Sequence, residues 1–311
     1  MKTYHSIDEF AAAGVDKTIV TTGTFDGVHM GHQQVLKKIK DLAKSTKAES
    51  VLLTFDPHPR LVIFGDTGDL ELLSTPDEKK ELLEKAGIQH LIIHPFTKEL
   101  SRVTALNYTK DILVKKLHTH VLVLGHDHRF GKNREGSIKD LIAWGPEYGF
   151  RVEEMTPFKT DTVTISSTRI RKALSVGDLQ TANKFLGYNY SIHAKVVGGM
   201  RLGSSELGYP TANLQVDYKY KLIPCDGIYA VYGEFDGKTY KGMMSIGMNP
   251  TVEGKGHSLE VHLFDFNENI YDKQLKVSFY RKIRDEAKFD SLKELKKQMD
   301  KDKEVCLDLL K

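Results

Sequence analysis

The sequence predicts an α/β domain built on a parallel sheet, followed by a small antiparallel β-barrel domain with a C-terminal helix. Three observations predict it. Up to about Gly187, short apolar runs of strand length alternate with segments of helical period. From Tyr190 onward, strand-like runs follow one another, broken by glycines rather than helices. Beyond Ser291 the helical period returns. Apolar strands separated by helices need both sheet faces covered, which is the Rossmann-like arrangement. Successive short strands without helices suggest a small antiparallel barrel or sandwich. The expected domains are residues 1–187 and 188–311, with a short junction near 186–189.

Each element has a local reason. Thr18–Thr22 reads as a strand. Residues 33–44 read as a helix with Val35, Leu36, Ile39, Leu42 and Ala43 on one face. Residues 51–55 form the next strand. Thr75, Pro76 and Glu78 then supply an N-cap, a first-turn proline and a capping box for a helix that stops near Gly87. Strands at 91–93 and 121–124 flank a helix expected over 105–117. Ile138–Tyr148 reads as a helix stopped by Gly149, before a strand at 152–155. In the second half, strands are expected at 192–197, 227–235, 239–246, 259–264 and 275–280. Asp236-Gly237 marks a hairpin turn. Ser291 and Glu294 start the last helix, whose Leu292, Leu295, Met299, Cys306 and Leu310 pack on the barrel.

Composition narrows the function classes. In 311 residues, 40% are hydrophobic and 28% charged, enough for two cores. A net charge of +3 is too small to make nucleic acid or an anionic membrane the main partner. Two distant cysteines argue against a disulfide framework and exclude a cysteine-rich zinc site. The polar N-terminus and strand-length apolar runs predict a cytoplasmic protein without a membrane span. Homo-oligomerisation stays open.

The most informative stretch is Gly23-Thr24-Phe25-Asp26-Gly27-Val28-His29-Met30-Gly31-His32. It lies where a parallel strand ends and a helix begins, the edge at which open α/β sheets bind ligands. A helix N-terminus favours phosphate, and glycines allow close approach. His29 and His32, with Gly31 keeping the space between them open, can stabilise charge developing on an α-phosphate. The spacing is not GxGxxG, and Gly131–Ser137 lacks the lysine of a P-loop. Two plainer readings stand beside this one. The histidines can be helix-start residues with local hydrogen bonds, or, with His58, His126 and His128, a zinc cluster.

The decamer resembles the FMN adenylyltransferase module of bacterial bifunctional riboflavin kinase/FAD synthetases, a branch of the nucleotidyltransferase superfamily with an HxGH-type motif. Three further motifs resemble that family in order: Thr54-Phe55-Asp56-Pro57-His58-Pro59, Gly125-His126-Asp127-His128-Arg129-Phe130-Gly131, and Ile165-Ser166-Ser167-Thr168-Arg169-Ile170-Arg171. The resemblance implies that His29 and His32 contact ATP phosphates and the transition state. Gly23, Phe25, Asp26 and Gly31 would shape the ATP site, and Asp127 would lie at the adenylylation site. Ser167, Thr168 and Arg171 would hold the triphosphate from a flexible loop. Hydroxyls and a guanidinium suit a leaving pyrophosphate.

In the second half, Pro210-Thr211-Ala212-Asn213 follows a glycine-rich stretch. Thr211 and Asn213 point to one side of an extended segment and offer hard oxygen ligands for Mg²⁺. Leu259, Val261 and Leu263 alternate with Glu260 and His262, so Glu260 faces away from the core. Together with Gly227–Tyr229, Ser245-Ile246-Gly247, Pro250-Thr251 and Tyr271, these resemble the riboflavin kinase module. That resemblance makes Glu260 the general base for the ribityl 5′-hydroxyl. The chain departs from the family at Gly203-Ser204-Ser205-Glu206-Leu207-Gly208, where relatives carry an arginine, and at Gly198, where they carry a histidine. Arg201 or Lys195 would have to compensate. His128 also stands where many relatives have an aromatic.

The sequence therefore predicts an enzyme that phosphorylates riboflavin to FMN and adenylylates FMN to FAD, with ATP as co-substrate and Mg²⁺ as cofactor. Riboflavin, FMN, FAD and ATP are the expected ligands. The alternatives are an adenylyltransferase with a weak or inactive kinase module, a nucleotidyltransferase acting on another phosphate, and a flavin carrier that consumes no ATP.

Overall fold

The computed structural model describes residues 1–160, 163–197, 208–248 and 257–311. The glycine-rich run with Arg201, Ser204, Ser205 and Glu206 lies outside the described residues, as does Pro250-Thr251. The chain divides into two compact units, Met1–Leu70 with Pro76–Ser166 and Glu71–Thr75 with Ser167–Lys311.

The first unit is a six-stranded parallel sheet: β1 (Lys2–Tyr4), β2 (Thr18–Thr22), β3 (Glu49–Asp56), β4 (His90–Pro95), β5 (Thr119–Gly125) and β6 (Arg151–Met155), in the order β1-β4-β3-β2-β5-β6. Alternate residues of each strand feed two cores. Val20, Val51, Leu53, Ile92, Leu122 and Leu124 enter one. Ile19, Leu52, Leu91, Val121 and Val123 enter the other. A sheet so buried on both faces explains why its strands read as continuous apolar runs. The chain leaves β2 toward β3 on one side and later adds β5 on the other. The switch in strand order thus falls between β2 and β5, where an open sheet leaves a crevice at its carboxyl edge.

Helices α1 (Met30–Thr46), α2 (Pro76–Lys85) and α3 (Ile138–Tyr148) cover the sheet, and Gly149 ends α3 in the left-handed conformation. The single helix expected over 105–117 is not regular. A short turn, Ala105–Asn107, runs into a π-helix over Tyr108–Val114. The wider bonds, such as Leu117 N–H to Ile112 O at 2.9 Å, let Tyr108, Thr109, Ile112 and Leu113 all be buried.

The second unit opens with two helices absent from the sequence-based expectation, α4 (Ser167–Ser175) and α5 (Leu179–Leu186). A closed barrel follows: β7 (Ser191–Val197), β8 (Ala212–Gln215), β9 (Gly227–Phe235), β10 (Lys238–Met248), β11 (His257–Leu263) and β12 (Gln274–Arg284), in the order β7-β8-β11-β10-β9-β12. Asp236 and Gly237 turn the β9–β10 hairpin with φ of 47° and 73°, as a tight primed turn requires. The segment Glu71–Thr75 joins this unit through a parallel bridge between Leu72 and Lys221, and the Lys221 ammonium donates to the Leu73 carbonyl at 2.7 Å.

The last helix, α6 (Leu292–Leu309), is N-capped by Ser291, which accepts from the Glu294 N–H at 3.2 Å. Leu295, Met299, Cys306 and Leu310 pack against Tyr209, Ala230, Met243 and Phe264. Leu292, expected on that face, instead stays exposed at the helix start. A buried ion pair fixes the helix: Arg284 meets Asp302 at 2.7 Å, and Gln298 donates to the same carboxylate.

Candidate active sites

The first site grows from the carboxyl edge of β2. Pairing with β3 continues past the strand, since the Gly23 N–H donates to the Leu53 carbonyl at 3.1 Å. The chain then turns sharply. Phe25 adopts the left-handed conformation (φ 48°, ψ 36°), and Val28 has φ 35°, a rare value for a β-branched residue. Strain of this kind costs about 1–3 kcal/mol and persists where surrounding structure fixes it. Gly23 permits the turn, because a Cβ there would lie 3.2 Å from the Phe25 ring.

His29 caps α1: its Nδ1 accepts the His32 N–H at 3.3 Å. The proton of the neutral ring is therefore on Nε2. The His29 and His32 rings stack at 3.7 Å, and Phe25 packs on His32 at 4.7 Å. Gly31 does not hold the rings apart as expected. It makes room for His29, whose ring would lie 3.2 Å from a Cβ at that position. The plain reading of the histidines as helix-start residues with a local hydrogen bond is met by His29, which caps the helix while stacking on His32. The Nδ1 of His32 is buried and has no hydrogen-bond partner among the described residues. Burial holds the His32 pKa well below the usual imidazole range, and the nearby His29 and Lys79 add to the effect.

Asp26 is buried in the same turn. Lys79, on α2, reaches over: its ammonium is 3.3 Å from the Thr24 carbonyl and 3.4 Å from Thr54 Oγ1. Asp127 follows β5 at the same edge of the sheet and is 86% exposed, open to a ligand entering from solvent. The zinc reading fails, since no three His, Cys, Asp or Glu residues converge for a metal among the described residues. Ser167, Thr168 and Arg171 stand in the first turns of α4 rather than on a loop, because Ile170, Ala173 and Leu174 give the segment a buried helical face. The Arg171 Nε donates to the Glu71 carbonyl at 2.6 Å within the second unit.

The second site is set by strand register. Asn213 pairs with Glu260, Glu260 with Ser245, Ser245 with Ile228, and Ile228 with Arg284. These residues form one row across five strands, on the face opposite the buried Leu259, Val261 and Leu263. Ile228, Ser245 and Arg284 also line a cleft of about 440 Å³, closed by Glu286, Phe289 and Leu292. Glu260 is half-buried, and its pKa is raised first by burial and then by the Glu286 carboxylate. Thr211 precedes β8 by one residue, and Asn213 lies within the strand. His262 pins this segment, its Nδ1–H donating to the Pro210 carbonyl at 2.7 Å. Tyr209 ties it to α6 through a hydrogen bond from its hydroxyl to Asp300. Lys195 is engaged by Asp272 at 3.0 Å.

Sequence reasoning missed Lys79, Arg284 and Glu286. Lys79 sits in a run of charges, DEKKELLEK, with nothing local to single it out. Glu286 did leave a trace: a Cβ at Gly247 would meet the Glu286 carboxylate, which would have to swing aside.

Two family models divide the chain along these two sites. One, described as FAD synthetase, matches residues 12–169, and the other, described as riboflavin kinase, matches residues 186–310. The chain belongs to the bifunctional riboflavin kinase/FMN adenylyltransferase family. The member of that name from Haemophilus influenzae is 38% identical over 92% of each chain. The Escherichia coli member is 35% identical over 97% of this chain and 96% of its own. A crystal structure described as a macrolide-efflux protein from Streptococcus pneumoniae superimposes with a TM-score of 0.89, at 30% identity over 98% of both chains. No helix among the described residues is long and apolar enough to cross a membrane.

Proposed function

We propose that this family member carries out two consecutive transfers from ATP. Riboflavin and ATP give FMN and ADP in residues 188–311; FMN and ATP give FAD and pyrophosphate in residues 1–187. The observation that supports the proposal is a pair of candidate sites, one in each unit, that differ in the groups they offer. One is a stacked histidine pair at a helix N-terminus. The other is a half-buried glutamate directly across from Asn213, beside a partly apolar cleft.

In the adenylyl transfer, a phosphate oxygen of FMN attacks the α-phosphorus of ATP, and the bond to the β-phosphate breaks. His29 and His32 donate hydrogen bonds to the oxygens that gain charge. Gly23, Phe25, Asp26 and Gly31 shape the pocket, and Asp127 borders the reacting phosphates. The roles of Ser167, Thr168 and Arg171 in holding the leaving pyrophosphate rest on the motif resemblance.

In the kinase reaction, Glu260 takes the proton of the ribityl 5′-hydroxyl as that oxygen attacks the γ-phosphorus, and ADP leaves. Its pKa, raised first by burial and then by the Glu286 carboxylate, makes it a stronger base than an exposed glutamate. The cleft suits the isoalloxazine, with Phe289, Leu292 and Ile228 as apolar walls and Arg284 and Ser245 as polar contacts. The Thr211 hydroxyl and Asn213 amide oxygen fit Mg²⁺, a hard cation that offsets phosphate charge when bound. We place the reactions in the cytoplasm, where ATP is available. Nothing in the described residues or the relatives favours a crippled kinase.

The test is direct. The purified chain is incubated with riboflavin, Mg²⁺ and ATP, and flavins are resolved by chromatography over time. FMN should appear first and FAD afterwards. Flavin bound without ATP consumption would leave a carrier instead.

A further inference from the structure

A site for polyphosphate needs positive charge, and the two histidines do not supply it. The Nδ1 of His29 is occupied as an acceptor of the His32 N–H, so that ring is neutral. The His32 ring is stacked between His29 and Phe25, with its Nδ1 buried, where an imidazolium would be poorly solvated. Within the first unit, the cation comes from another element.

Lys79 is the residue in position. Helix α2 brings its ammonium to the carboxyl edge of β2 and β3, 3.3 Å from the Thr24 carbonyl and 3.4 Å from Thr54 Oγ1. Thr54 Oγ1 itself donates to the Thr24 carbonyl at 3.4 Å, so the three groups meet at one point just before the strained turn. An ammonium has three donors, and these contacts involve two. The charges facing Lys79 are Asp26 from the turn and Asp56 from the end of β3, and His32 lies near enough to feel its field. Burial lowers the Lys79 pKa while the two carboxylates oppose that shift.

We propose that Lys79 is the fixed cation of the adenylylation site, placing its charge against the ATP phosphates while His29 and His32 act as neutral hydrogen-bond donors. This rests on reading the first unit as the adenylyl-transfer site. Asp26 and Asp56 then hold the ammonium until a more highly charged polyphosphate competes for it. That division of labour separates charge from direction: the lysine attracts, and the rigid stacked imidazoles orient.

The test compares Lys79→Gln with Lys79→Arg in the full chain. Glutamine keeps an N–H donor on a side chain one bond shorter and removes the charge, while arginine keeps the charge. Adenylylation of supplied FMN should fall roughly 10²–10³-fold in Lys79→Gln, the loss typical of one preorganised charge-stabilising donor. Lys79→Arg should stay within about tenfold of the wild type, on the scale where tenfold is a small binding difference. Riboflavin phosphorylation, measured on the same samples, should not change, and thermal unfolding of the full chain reports on the folding of the first unit. Pyrophosphate binding by calorimetry should weaken at least about tenfold in Lys79→Gln. Wild-type turnover and pyrophosphate binding in Lys79→Gln would overturn the assignment and leave the lysine a structural tether. Failure of the wild type to make FAD from FMN and ATP would overturn the underlying reading instead.

Discussion

Asn213 and Glu260 stand directly opposite one another on antiparallel strands β8 and β11. A directly opposed pair has its Cβ atoms about 4.5–5.5 Å apart and on the same face. Barrel register alone therefore brings a proposed metal ligand beside a proposed general base. Neither needs a loop to reach the other.

From this follows the sharpest kinase prediction. Glu260→Gln keeps the shape and removes the base, so kinase kcat should fall roughly 10²–10⁴-fold. Adenylylation of supplied FMN should be nearly untouched. Steady-state assays of each half-reaction on one preparation check both statements, and surviving kinase turnover would rule out Glu260 as the base.

Asn213→Ala should act on the metal rather than on the proton. Losing one hard ligand at a charged centre costs about 1.5–3 kcal/mol, or roughly 10–150-fold in affinity. The Mg²⁺ concentration giving half-maximal kinase activity should rise by that factor. Titrating Mg²⁺ at fixed ATP measures it, and an unchanged midpoint would remove Asn213 from the metal site.

How much of this could be read before the fold was known depended on whether the cause was local. The parallel strands were legible because burial on both faces makes them continuous apolar runs, and the Asp236-Gly237 hairpin because only certain residues take positive φ at both turn positions. Residues 105–117 misled because 3.6- and 4.4-residue periods differ little over two turns. The Leu72–Lys221 bridge had no local signal at all. Among the candidate site residues, His29, His32, Glu260 and Asn213 were singled out by motif and alternation. Lys79, Arg284 and Glu286 were not, because each matters through a neighbour distant in sequence.

His29 tests whether a residue can be both cap and ligand. Replacing a good cap by Ala costs about 1 kcal/mol, whereas Asn is among the best caps. His29→Ala should lower the stability of the first unit by about that amount, and His29→Asn should restore it. Neither should restore adenylylation, which should stay roughly 10²–10³-fold down. Thermal unfolding beside FAD formation separates the two roles; recovery of activity in His29→Asn would reduce His29 to a cap.

The Arg284–Asp302 pair should hold α6 on the barrel. Asp302 is buried, so Asp302→Ala leaves a largely buried guanidinium without its carboxylate and should cost about 3 kcal/mol. Arg284 also lines the cleft, so the KM for riboflavin should rise with the loss of stability. Calorimetry of the intact chain and kinase kinetics check the pair of effects. A variant as stable as the wild type would mean that apolar packing at Cys306 and Leu310 suffices.

Glu286 should set the pH at which the kinase switches on. Burial raises the Glu260 pKa, and the Glu286 carboxylate raises it further. The base works only when ionised, so kinase kcat should fall as pH drops through this raised pKa, above the ordinary glutamate range of about 4.3. Glu286→Gln removes a negative charge beside Glu260, which eases its ionisation and should move the acid limb to lower pH. Gly247→Ala should push in the same direction, because its Cβ would displace the Glu286 carboxylate. Agreement between two substitutions that act on one charge in different ways would tie the limb to Glu260. An acid limb that stays put in both would show that another group controls it.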